Sequence, residues 1–159
     1  MALPTPELAG EHYQASDTQL RGMGEKTLKI AAENGETLAE IDPIKIGMKI
    51  RQWNMDYLSC GPVLVLVMLG PHIIEVVRKM VGVTNPLMAD VGTIRADYSP
   101  DSISLANWQE RTTRTIIHAS DSVEGAEREI GLWFKKDEIF EYETAIEKVL
   151  FDTSWSLKS

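Results

Sequence analysis

The sequence predicts a single α+β domain, and three observations carry that prediction. Val63-Leu64-Val65-Leu66-Val67-Met68-Leu69 is apolar at every position and rich in valine, the pattern of a central strand covered on both faces. Thr115-Ile116-Ile117-His118 is a second short stretch of strand character. Around these two lie segments whose apolar residues recur at helical spacing, bounded by caps, prolines and glycines. At 159 residues, the chain is long enough for one domain with a real core.

The elements run in order along the chain. Pro6 to Tyr13 reads as a short helix, with Thr5 as cap and Pro6 in the first helical position. Ser16 to Asp42 is mixed, because Gly22, Gly24 and Gly35 interrupt it, and a helix is expected around Lys26 to Asn34. Asp42-Pro43 opens a helix whose apolar side is Ile46, Ile50, Trp53 and Tyr57, and Gly61-Pro62 ends it. After the strand Val63 to Leu69, Gly70-Pro71 turns into a helix carrying Ile74, Val77 and Val81. Gly82 to Arg111 shows little periodicity, and a loop of that length inside a domain is usually functional. The histidine strand, a helix from about Val123 to Phe134, and an amphipathic helix from about Lys136 to Leu150 complete the chain.

Composition narrows the function. Hydrophobic residues make up 43% and charged residues 25%, as in soluble globular proteins. The apolar run Val63 to Leu69 is far too short to cross a bilayer, and the first residues lack the pattern of a signal peptide, so no membrane role is expected. Cys60 is the only cysteine, which rules out an intrachain disulfide and fits a reducing, cytoplasmic setting. A net charge of -8 argues against nucleic-acid binding through a broad basic surface. A few arginines converging in a cleft can still dominate the local field, so a nucleotide site remains compatible.

The most informative stretch is Thr115 to Ser122. It places His118 at the exit of an apolar strand, where a turn and an acid-rich helix begin. Ser120 and Asp121 supply helix-start chemistry, and Glu129 falls on the next helix, within reach of the ring. A histidine on a rigid strand end, oriented by a carboxylate, can serve as a covalent nucleophile. The bland alternative is a satisfied structural histidine, which is the commoner case for a lone ring in an apolar setting. His12 and His72 show no partner in the sequence and read as structural or surface residues.

Several motifs together carry a family resemblance. Gly61-Pro62-Val63, Val83-Thr84-Asn85-Pro86, Gly92-Thr93-Ile94-Arg95, Ile117-His118-Ala119-Ser120-Asp121-Ser122 and Glu127-Arg128-Glu129-Ile130 stand in the order seen in nucleoside diphosphate kinases. The similarity runs from about Leu3 to the C-terminus and resembles an archaeal or uncultured-bacterial variant of that family. It implies residues 1–159 as one domain with a ferredoxin-like antiparallel sheet and helices on its faces. It also implies a ping-pong reaction, in which a γ-phosphoryl group passes from a nucleoside triphosphate to His118 and then to a nucleoside diphosphate.

The same resemblance assigns roles. Glu129 matches the glutamate that orients the ring, and Ser120 its hydrogen-bonded neighbour. Arg78 and Arg95 match the arginines that grip phosphates, a task suited to their forked donors. Thr84 matches a hydroxyl on the phosphate chain, and Tyr13 the tyrosine of the nucleotide cleft. Thr115 stands where the family usually carries a sugar-contacting asparagine, and it retains only part of the amide's hydrogen bonding. Ala96 and Ala119 replace glycines. Magnesium is expected to arrive on the nucleotide, since the site lacks a cluster of carboxylates, so no protein metal ligands are assigned. The partners implied are nucleoside di- and triphosphates and further copies of the chain, as a hexamer or tetramer.

One departure is larger. Family members open with a strand ending in Lys-Pro-Asp, then a helix and a second strand, and Met1 to Tyr13 aligns with the family segment after that second strand. The expectation is therefore a sheet lacking that N-terminal strand-helix-strand, with one edge of Val63 to Leu69 unpaired. Two functions stay open on the sequence: the kinase, and a non-catalytic remnant that keeps a nucleotide cleft or an oligomer surface.

Overall fold

Thr5 and Pro6 start the first helix as their chemistry requires. The Leu8 N–H donates to Thr5 Oγ1 at 3.2 Å, and Pro6 needs no donor where none has a partner, so α1 runs Pro6–His12. The computed structural model describes residues 1–152 and 154; the rest of the expected domain, residue 153 and residues 155–159, lies outside the described residues.

The second helix begins earlier than its glycines suggest. Ser16 and Gln19 form a reciprocal capping box, with Gln19 N–H on Ser16 Oγ at 3.3 Å and Ser16 N–H on Gln19 Oε1 at 2.8 Å. It launches α2 over Asp17–Glu33. Asp42 accepts the Ile44 N–H at 2.9 Å and opens α3, Pro43–Leu58. These two helices run antiparallel against each other, and Gly24 and Gly47 are the reason they can approach so closely. A Cβ on Gly24 would overlap the Pro43 carbonyl, and one on Gly47 would overlap the Leu20 carbonyl. The glycines expected to break the region are thus partly what packs it. Gly47→Ala is expected to lower stability by about 2 kcal/mol, because the helix backbones must separate to make room. An unchanged urea midpoint would show that the contact is dispensable.

The remaining helices are shorter. They are α4 (Ile73–Val81), α5 (Ile94–Tyr98), α6 (Ile103–Trp108), α7 (Val123–Trp133) and α8 (Ala145–Leu150), with 3-10 turns at Pro86–Met88 and Lys136–Glu138. The stretch expected as a loop, Gly82 to Arg111, therefore carries two short helices, each started by a hydroxyl cap at Thr93 or Ser102. The C-terminal helix expected from Lys136 is confined to Ala145–Leu150, where Thr144 and Glu147 form another capping box. Buried apolar side chains are few and small, Leu20, Ile46 and Val81 being the larger ones. Among the described residues no helix is long and apolar enough to cross a membrane.

The expected antiparallel, ferredoxin-like sheet is not formed: the described residues contain helices and no strand. One isolated antiparallel bridge joins Ala2 to Val63, through bonds of 2.9 and 2.8 Å. Past that bridge Val63 to Leu69 has no ladder, and most of its side chains are open to solvent, Leu64 71% and Leu69 90% exposed, with Val63 and Val65 half-buried. The stretch before His118 cannot supply the missing partner, because its N–H groups are used locally. Thr115 N–H bonds to Thr113 O at 2.8 Å and Ile117 N–H to Thr115 O at 2.7 Å. Apolar, β-branched sequence alone does not make a strand; the ladder needs a second backbone at hydrogen-bonding distance.

Asp101 ties the Gly82–Arg111 region to the histidine segment. Its carboxylate takes both Arg111 Nη1 at 2.7 Å and Nη2 at 3.1 Å, together with the Arg114 N–H at 2.7 Å and the Ser102 N–H at 2.8 Å. The Arg111 hydrogen bonds, opposed by burial and aided by the two backbone donors, hold the Asp101 carboxyl down at about 2. Ser99 Oγ also donates to Arg114 O. The segment leading to His118 is thereby fixed at its start.

Candidate active site

Ser122 sets the position of everything on α7. Its hydroxyl accepts the Gly125 N–H at 3.0 Å and starts the helix at Val123, so Glu129 and Trp133, four residues apart, share one face. Glu129 Oε2 lies 3.0 Å from His118 Nε2 and accepts the Ser120 hydroxyl at 2.6 Å. His118, Ser120 and Glu129 are therefore brought together. Burial raises the Glu129 pKa, but the hydrogen bonds from His118 and Ser120 outweigh it and hold the carboxyl at about 2. An ionised carboxylate only accepts, so the proton between the two groups sits on His118 Nε2. Nδ1 of the half-exposed ring then carries the lone pair.

The backbone beside the histidine is strained. Ile116 has φ 55°, the left-handed region that β-branched residues avoid, and it is the centre of the tight turn closed by Ile117 N–H on Thr115 O. Arg95 holds the exit of that turn: its Nη2 donates to Ile117 O at 2.8 Å and its Nη1 to Gly82 O at 2.7 Å. Its buried Nε has no partner among the described residues. Burial, then the nearby positive charge of Arg78, lowers the Arg95 pKa. Arg78 itself is exposed on α4. Thr84 is exposed and Thr115 half-buried, and neither hydroxyl has a hydrogen-bond partner among the described residues.

His12, read in the sequence as partnerless, is part of the site. It is 7% exposed and stands edge-on to the His118 ring, with centroids 4.8 Å apart. Trp133 Nε1 donates to its Nδ1 at 3.2 Å. Burial, then the neighbouring His118, lowers its pKa to about 4, so it is neutral near pH 7. Tyr13 comes next on the same turn; burial, then the Glu129 charge, raises its phenol pKa. His12 and Tyr13 help line a cleft of about 320 Å³ with Gln19, Met23, Arg51 and Asn54. Arg51 fixes that turn by donating to Tyr13 O at 2.7 Å and to Gly10 O at 3.0 Å.

Arg128 is the other contributor that sequence reading missed. It donates to Glu11 O at 3.2 Å and His12 O at 3.3 Å, and lies 3.5 Å from Glu129 Oε1, so it fastens α1 to α7. Its place beside Glu129, and that of Trp133 one turn further on, were the available signals. Their target, His12, lies more than a hundred residues away in sequence.

The chain is similar to known nucleoside diphosphate kinases. The family model described as Nucleoside diphosphate kinase matches residues 44–139. The nucleoside diphosphate kinase of Pyrobaculum aerophilum is 41% identical over 145 residues, covering 89% of this chain and 79% of that protein. That of Methanobrevibacter smithii is 45% identical over 98 residues, covering 62% of this chain and 59% of that protein. Among solved structures, the crystal structure of an NDP kinase from Pyrobaculum aerophilum matches with a TM-score of 0.84 and 39% identity over 88% of this chain and 79% of that one. The Borrelia burgdorferi nucleoside-diphosphate kinase, a transition state mimic with bound vanadate and ADP, matches with a TM-score of 0.71 and 29% identity over 93% of this chain and 74% of that one.

Proposed function

Because the chain belongs to the nucleoside diphosphate kinase family, a family of phosphotransferases, we propose that it moves a γ-phosphoryl group from a nucleoside triphosphate to a nucleoside diphosphate by way of phospho-His118. The observation that carries the reading is the Glu129 carboxylate on His118 Nε2, which leaves Nδ1 as the nucleophilic atom. The Nδ1 lone pair forms the P–N bond while the bond from γ-phosphorus to the bridging oxygen breaks, and the diphosphate leaves. The positive charge that develops on the ring is offset by Glu129, itself held in place by Ser120. In the second half-reaction, a terminal oxygen of the incoming diphosphate attacks phosphorus and the P–N bond breaks.

The other residues hold the nucleotide in this reading. Arg78 and Arg95 face the phosphates, and the unpartnered Arg95 Nε is a donor that a phosphate oxygen would satisfy. The Thr84 hydroxyl is assigned to the phosphate chain, Tyr13 to the cleft and Thr115 to the sugar. Magnesium, carried by the nucleotide, neutralises charge on the phosphates. The site offers one carboxylate beside imidazoles rather than the oxygen-rich set magnesium prefers. Nucleotide-free protein is therefore expected to show no tight magnesium site by equilibrium dialysis, and a stoichiometric one would contradict this reading. Assembly into a tetramer or hexamer belongs to the same proposal. It is supported by exposed apolar side chains such as Leu64, Leu66 and Val76, and sedimentation reads it.

The test is incubation with γ-labelled ATP. The expected result is label on the protein that is stable to base and lost in acid, as a phosphorus–nitrogen bond requires, and that a nucleoside diphosphate removes. Protein that binds nucleotide without taking up label would instead be a binding module.

A further inference from the structure

We infer that His12, His118 and Glu129 form a site for a borderline-soft divalent cation such as zinc, which occupies the histidine when no phosphoryl group is present. One ligand atom from each residue lies within 4.8 Å of the other two. Two imidazoles and one carboxylate make the donor set of an open zinc site, with three protein ligands and a fourth position free. Tetrahedral ligands at roughly 2.0–2.2 Å stand about 3.3–3.6 Å apart. The His118 Nε2 to Glu129 Oε2 separation of 3.0 Å falls a few tenths of an ångström short of that spacing, so this pair opens slightly while the third ligand, within 4.8 Å, closes in. His118 is half-exposed, which leaves an entry path and room for a water on the fourth position. Imidazole favours zinc, cobalt or copper over magnesium, so the cation carried by a nucleotide does not compete for these atoms.

Three features oppose binding, the first being the Ser120 hydroxyl, which already donates to Glu129 Oε2 at 2.6 Å. Arg128 lies 3.5 Å from Glu129, but on Oε1, so Oε2 remains turned toward His118. Trp133 donates to His12 Nδ1. Whichever His12 nitrogen takes the metal, Nδ1 then holds either the metal or the proton, and the indole N–H loses its acceptor. The affinity is therefore expected in the micromolar range, not the nanomolar range of a structural zinc.

Occupancy has a chemical consequence for His118. A cation on Nε2 displaces the proton found there, and water carries that proton to Nδ1. Neither ring nitrogen then offers a lone pair. Metal and phosphoryl group thus exclude one another on this ring. That consequence rests on the kinase reading above, whereas the metal site itself does not.

The experiment titrates cobalt, then zinc, into the purified full chain. The expected result is one cation per chain, tetrahedral cobalt bands in the visible spectrum, and zinc displacing cobalt with a dissociation constant of about 10 µM or lower. His12→Ala, His118→Asn and Glu129→Gln should each weaken binding about tenfold or more, while His72→Ala and Cys60→Ser leave it unchanged. The chain has three histidines, so proton NMR of the unsubstituted protein gives a second measurement. Cobalt should shift or broaden the ring signals of His12 and His118 and spare His72. Equal affinity in His12→Ala, loss of binding in Cys60→Ser, perturbation of His72 alone, or no binding at that concentration overturns the site. Uptake of label from ATP should then fall as zinc saturates the site. Uptake that persists at full zinc occupancy overturns the exclusion and leaves the metal site standing, and failure of the metal site leaves the kinase reading intact.

Discussion

Replacing His118 by alanine is expected to abolish phosphotransfer and to remove the acid-labile label entirely. Without the ring there is no covalent intermediate, so transfer would require triphosphate and diphosphate to sit together in a site suited to one of them. The side chain is half-exposed and makes one hydrogen bond among the described residues, to Glu129, so its loss should leave the fold largely unchanged. Two measurements make the comparison: turnover with saturating nucleotides, and the circular dichroism of the same sample. Near-normal turnover in the variant would sink the covalent mechanism.

Glu129→Gln should cost about 100-fold or more in kcat. An amide can present its NH₂ to His118 Nε2, which favours the ring tautomer protonated at Nδ1 and removes the lone pair needed for attack. It also removes the charge that offsets the developing imidazolium. The same variant should change acid stability, and the depressed carboxyl sets the sign. In the folded protein Glu129 ionises at about 2, below its ordinary value of 4.5. The unfolded chain therefore binds a proton more readily, and the stabilisation is present above pH 4.5 and lost as pH falls toward 2. Its size is on the order of 2 kcal/mol, since the partner ring is half in water and screens the pair. The variant should be less stable than the parent at neutral pH and converge with it near pH 2. Parallel stability curves across that range would show that the carboxylate is not held as described. Asp101, depressed for the same kind of reason, acts in both proteins and cancels in the difference.

Part of the site is legible in local sequence chemistry. Thr5-Pro6 and Asp42-Pro43 set their helix starts as read, and α7 begins near Val123 as expected, although its cap is Ser122 rather than Ser120 or Asp121. The pairing of Glu129 with His118 comes from the short turn that Ser120 and Ser122 build between them. His12 and Trp133 were not legible, because their bond joins positions 121 residues apart and depends on α1 lying against α7. Arg95 was assigned to phosphate, and in the structure two of its donors also fix the backbone around His118.

By itself the sequence determined where α1, α3 and α7 start, which histidine stands at a strand-like exit, and which family the motifs resemble. These depend on contacts within a few residues, where capping and steric rules act alone. Tertiary structure decided that Gly24 lies within α2, because the approach of α3 uses the missing Cβ atoms of Gly24 and Gly47. It decided that Val63 to Leu69 stays without a ladder beyond Ala2, because hydrogen bonds between strands need a second backbone that no local rule supplies. It also set His12 neutral and edge-on to His118, because burial and the Trp133 bond arise only where distant helices meet.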